Sequence, residues 1–178
     1  VVSDRTELSD QGFSRGTVVS RKVFSVKQLT IKGLAFPMDW VDFGGPGYPK
    51  EALWVIEWTG DFDDEEVFNR PVVECLKVQV NKAAEATLNE MDQALGKGMA
   101  TKMLGTEILT QIFSDVITHM KEDPTPGDTS TLAYTVLDAI RKVSGMDFGT
   151  IRSELKPDAD RSHERLRNYV AQATELVN

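Results

Sequence analysis

Residues 52–95 read ALWVIEWTGDFDDEEVFNRPVVECLKVQVNKAAEATLNEMDQAL. The first eight alternate. Leu53, Val55 and Glu57 fall on one side, Trp54, Ile56 and Trp58 on the other, which is the two-residue rhythm of a strand. Asn69 can cap a helix that enters through Pro71, since proline suits a first helical turn. From there Val73, Leu76, Val80, Ala83, Ala84, Thr87, Met91, Ala94 and Leu95 fall on one helical stripe, and Gly96 and Gly98 are expected to end it. Leu76, Val78 and Val80 also alternate, so a strand over 74–80 competes with the helix there.

The rhythm therefore changes near residue 60, and the charge changes with it. Residues 1–60 carry seven Lys/Arg and seven Asp/Glu. Residues 61–178 carry 13 against 21, which accounts for the whole net charge of -8. Upstream, residues 34–50 hold Pro37, Gly44, Gly45, Pro46, Gly47 and Pro49 and read as a long loop. Gly16 to Gly33 reads as one or two strands, with Leu29 and Ile31 alternating at its end. Two strands flanking a loop point to an antiparallel pair, which needs helices to cover it. Residues 1–14 are polar and read as a flexible N-terminal arm. Val in place of Met at position 1 is what a processed or trimmed chain would show.

Downstream, Thr101 or Thr106 is expected to open a helix with Met103, Leu104, Ile108, Ile112, Phe113, Val116, Ile117 and Met120 inward, stopped by Pro124, Pro126 and Gly127. Asp128 or Ser130 caps the next, with Leu132, Val136, Leu137, Ile140 and Val143 inward and Gly145 at its end. A short turn covers Thr150 to Leu155. Asp160 or Ser162 starts the last helix, which turns Leu166, Tyr169, Val170, Ala173, Leu176 and Val177 inward. The expected fold is α+β: a small antiparallel sheet from the N-terminal third, packed against a C-terminal bundle of four or five helices. Residues 15–178 would form one domain, β-rich over 15–60 and helical over 61–178.

Composition excludes some functions. The chain has no apolar run of the roughly 18 residues that a membrane span needs. Its acidic balance argues against general nucleic-acid binding, because phosphate contacts need Lys and Arg. Cys75 is the single cysteine, so no disulfide can form within the chain and a cytoplasmic or otherwise reducing intracellular compartment is expected. Val72, Val73 and Leu76 surround it in sequence, which reads as a buried thiol.

Catalytic patterns are missing. The glycines of 44–47 lack the Lys and Ser/Thr of a phosphate loop, and Gly-x-Ser-x-Gly is absent. His119 and His163 are too few for a zinc site without several carboxylates. Asp61, Asp63, Asp64, Glu65 and Glu66 place five acids in six positions, the oxygen-rich chemistry that Mg²⁺ or Ca²⁺ prefers. The stretch fails the twelve-residue calcium loop, with Glu66 where Gly is required and Val72 where the bidentate acid belongs. Acids ahead of a helix also suit its dipole, so the reading here is no cofactor, with Asp61, Asp63 and Asp64 as the metal candidates.

Seven of the 14 aromatics lie between Phe36 and Phe62. They can clamp the sheet to the bundle or form a recognition surface. Phe36, Trp40, Phe43 and Tyr48, with Leu166, Tyr169 and Val170 on the terminal helix, are the candidate partner-binding residues. Any helical stripe left uncovered would serve the same purpose. A non-enzymatic interaction or assembly protein is the leading expectation: a structural subunit, an adaptor or an acidic inhibitor, with a protein partner or self-association. The alternatives are a divalent-metal enzyme acting on phosphate esters at the acidic cluster, and an acidic nucleic-acid mimic.

Overall fold

The computed structural model describes residues 27–31, 34–49, 51–62, 66–125, 127–159 and 161–175. The expected N-terminal arm and the residues up to Val26 lie outside them. Four strands make one sheet: β1 (Lys27–Ile31), β2 (Leu34–Val41), β3 (Trp54–Trp58) and β4 (Leu76–Asn81), in the order β1-β2-β4-β3. β1 pairs antiparallel with β2, and β3 antiparallel with β4, but β2 and β4 run parallel. The fold is α+β as expected. Its sheet is mixed in place of antiparallel, and one of its two inner strands comes from beyond the N-terminal third.

Two local readings change with it. The single helix expected from Asn69 to Leu95 is instead a 3-10 turn (Val67–Asn69), the one-turn helix α1 (Val72–Cys75), strand β4, and helix α2 (Ala84–Leu95). Leu76 and Val80 satisfy both periods, so the stripe could not separate them. Val78, which the helical stripe leaves out, is fully buried, and Val73, which it includes, is 68% exposed. The expected loop over 34–50 holds β2 in its first half. Pro37 hid it, because proline lacks the ladder donor. The parallel ladder with β4 begins only at Met38, so Pro37 sits at its edge.

The register sorts the side chains by face. Leu76, Val78 and Val80 share a face with Met38 and Trp40 of β2 and with Trp54, Ile56 and Trp58 of β3, and all join the main core. The opposite face mixes polar residues with Val41 and Val55. Lys77 pairs with Asp39 at 2.8 Å, and the Gln79 amide donates to Glu57 at 2.7 Å. The two-residue rhythm expected for 52–59 is present in β3, which sets Trp54, Ile56 and Trp58 on one face and Val55 and Glu57 on the other.

Four more helices follow: α3 (Met99–His119), α4 (Leu132–Ser144), α5 (Phe148–Leu155) and α6 (Ser162–Glu175). Together with α2 they make five of two turns or more. Their ends follow from local chemistry. The Thr131 hydroxyl accepts from the Tyr134 amide and caps α4, replacing the expected Asp128 or Ser130. Gly145 ends α4 in the left-handed conformation, as expected (φ 73°). Asp147 caps α5, a helix where only a turn was expected. α3 begins at Met99, ahead of Thr101. The core lies between the sheet's apolar face and α3, α4, α5 and α6. Ion pairs tie the terminal helix down: Arg167 to Glu107 on α3, and Arg165 to Glu154 on α5.

Candidate functional site

α2 and the start of α3 form a helical hairpin that leaves large apolar side chains exposed among the described residues. Of the twelve residues of α2, only Ala84 is buried. Met91 (38%), Leu95 (53%), Met99 (45%) and Met103 (44%) are exposed, four of the six large apolar side chains so exposed among the described residues. Each pair is spaced by four, Met91 with Leu95 and Met99 with Met103, so each presents one helix face. α2 packs on α3 and on the end of β4. The bundle covers α3 from Gly105 onward, and the preceding turn has only Ala100 buried.

The hairpin is held in one shape by its turn. Gly96 (φ 114°) and Gly98 (φ 81°) adopt backbone that other residues rarely reach. The Asp92 carboxylate accepts from the Ala100 amide at 2.6 Å, satisfying a first-turn donor of α3, and the Gly96 amide donates to the Asp92 carbonyl. At the other end, the Asn81 carboxamide accepts from the Ala83 amide and donates to the Ala52 carbonyl, fixing where α2 leaves the sheet. The sequence stripe contained Met91, Leu95 and Met103 but assigned them inward. Met91 and Leu95 share a face with buried Ala84 and are left open by their surroundings, whereas Met103 stands on the side of α3 opposite Ile112.

The residues expected to bind partners are mostly core. Phe36, Phe43, Leu166 and Val170 are buried within the chain and present no surface to a partner. Phe36 faces the bundle from β2, and Leu166 and Val170 pack into the main cluster from α6. Phe43 stacks on Tyr48 (4.7 Å, 6°) away from that cluster. Trp40, Tyr48 and Tyr169 are half-buried and keep some surface. Of the metal candidates, Asp61 is exposed, and Asp63 and Asp64 lie outside the described residues. Among the described residues no three His, Cys, Asp or Glu side chains gather to hold a metal.

A second group of polar and aromatic side chains sits where β3 meets α3. His119 stacks on Phe62 (4.4 Å, 15°), and Phe62 and Phe68 both contact Trp58. Asp115, one turn before His119, accepts from the Gln111 amide at 2.7 Å. Burial pushes the Asp115 carboxyl above its ordinary value of 3.8, against the opposing Gln111 hydrogen bond, the His119 charge and the Trp58 hydrogen bond. The folded chain therefore holds this proton more tightly than the unfolded chain. The stability so contributed is complete below pH 3.8 and is lost as pH rises through the folded value. Asp115→Asn, which cannot ionise but keeps an acceptor, is expected to gain urea midpoint over the natural chain as pH rises from 4 to 7. A constant difference across that range contradicts it. Cys75 is buried, its thiol donates to the Val67 carbonyl at 3.0 Å, and burial pushes it up to about 11, far from the thiolate that a nucleophile needs.

A cleft of about 210 Å³ opens between the 3-10 turn and the α3–α4 connection, floored by Phe68 and Met120 and edged by Lys121, Asp123 and Asp128. It is small beside the roughly 300–1,000 Å³ of ordinary ligand pockets. No described helix is long and apolar enough to cross a membrane. No family model matches the chain, and no curated protein or solved structure shows significant similarity to it.

Proposed function

We propose that this chain is a non-enzymatic interaction or assembly protein that docks through the tip of its α2–α3 hairpin. The carrying observation is the exposure of Met91, Leu95, Met99 and Met103 together on a hairpin whose turn is fixed by Asp92, Gly96 and Gly98. A folded chain gains nothing by leaving a stripe of large apolar side chains in water, so a surface of this kind marks a contact site. Methionine suits the role, since its flexible thioether adapts to the surface it meets. The half-buried Trp40, Tyr48 and Tyr169 are secondary contacts at most.

A photo-reactive phenylalanine analogue at Met99 tests the proposal directly, with the same analogue at exposed Lys156 as control. Illumination in an extract of the cells that make the protein is expected to give a discrete adduct from position 99 and none from position 156. Equal labelling from both positions, or none from 99, overturns the docking reading.

A further inference from the structure

We propose that the occupant of this face is a second copy of the chain, placed by a two-fold axis that lays α2 of each copy along α3 of the other. The proposal rests on the docking reading above and names its partner. Charge carries the argument. Residues 82–103 hold three lysines (Lys82, Lys97, Lys102) and three acids (Glu85, Glu90, Asp92), so their sum is zero, while the whole chain carries -8. The excess negative charge that would draw a basic partner lies elsewhere. An acidic molecule can approach its own copy closely across a neutral face such as this one, because like charges repel weakly there.

The signs are also partly sorted along the hairpin. Glu85, Glu90 and Asp92 stand on α2 with Lys82 just ahead of it, a sum of -2, and Lys97 and Lys102 stand on the turn and on α3, a sum of +2. A two-fold that sets α2 against α3 brings the acid-bearing helix of one copy beside the lysines of the other, and does so twice. Self-complementarity of this kind is what an isologous interface requires, since each surface must match itself. Two short hairpins meeting in this way form a four-helix cluster with Met91, Leu95, Met99 and Met103 from both copies at its centre. The patch is modest, so the association is reversible and concentration-dependent.

Light scattering after size-exclusion chromatography reads the outcome. Over loading concentrations from about 10 μM to about 1 mM, the span in which a small interface shows itself, the mass is expected to climb from the 19.8 kDa of one copy toward twice that value. The double variant Leu95→Glu/Met99→Glu is expected to stay at one copy throughout. Its thermal midpoint stays close to that of the natural chain, because both positions are exposed in the single copy. A natural chain that remains single at every concentration overturns the second-copy proposal, and so does a variant that dimerises as well as the natural chain. Should the chain stay single while position 99 still yields an adduct with a different protein, the docking reading survives and only the occupant is wrong. With neither dimer nor adduct, both fall.

Discussion

Val78→Asp is expected to cost about 4 kcal/mol or more of folding stability, and Val73→Asp to change it by no more than about 0.5 kcal/mol. The two residues stand five apart, are chemically identical, and flank the same short segment. Val78 is fully buried at the centre of β4, where its neighbours across the sheet are Met38 and Ile56. Among the described residues no lysine or arginine belongs to the core cluster around it, so a carboxylate there must either ionise in the core or hold a proton at neutral pH. Both are expensive. Val73 stands 68% exposed on α1, where a carboxylate stays in water. Urea unfolding followed by far-ultraviolet circular dichroism measures both. Variants that behave alike, or a Val73 variant that proves the more damaging, would remove β4 from the sheet and return residues 72–81 to a helix.

That pair marks where the sequence was readable and where it was not. Periods of 3.6 and 2.0 share residues four apart, so Leu76 and Val80 fit a helix and a strand equally. Only Val73 and Val78 differ between the readings, and which of them is buried depends on β2 and β3, which are distant in sequence. β2 was itself masked by Pro37. By contrast α4 carries its own punctuation, with Thr131 at its start and Gly145 at its end, and its stripe of Leu132, Val136, Leu137 and Ile140 is buried as its spacing implies. The candidate docking face was half legible for a related reason. A stripe states which side of a helix is apolar and is silent on what covers it. The expected stripe groups Met103 with Ile112 on α3, but nine residues at about 100° each set them on opposite sides of the helix, and the bundle covers only the Ile112 side. The terminal helix, which periodicity marked as a contact surface, is instead covered on its Leu166 and Val170 side.

Phe36→Ala is the second large effect, expected to lower stability by about 3–5 kcal/mol, the usual cost of emptying a buried phenylalanine site. Against a total of about 5–15 kcal/mol for a domain of ordinary stability, that is a substantial fraction. Phe36 has no exposed surface, and on β2 it continues the face of Met38 and Trp40 against the main core. Leu53→Ala serves as the contrast. Leu53 is 53% exposed just ahead of β3, and its loss is expected to cost under about 1 kcal/mol. Midpoints from urea unfolding separate the two provided the slope is unchanged, since a shifted midpoint at constant slope is a change in stability alone. The comparison decides between the two roles open to the aromatic-rich segment. A residue kept to hold a partner can be removed with little effect on the isolated chain, whereas one that closes the sheet onto the bundle cannot. A cost below about 1 kcal/mol for Phe36→Ala would place its ring outside the core and restore it as a contact residue. The expected loss makes Phe36 part of the joint between sheet and helices, beside Trp40, Trp54 and Trp58, which pack against the same cluster, and is consistent with recognition through the hairpin.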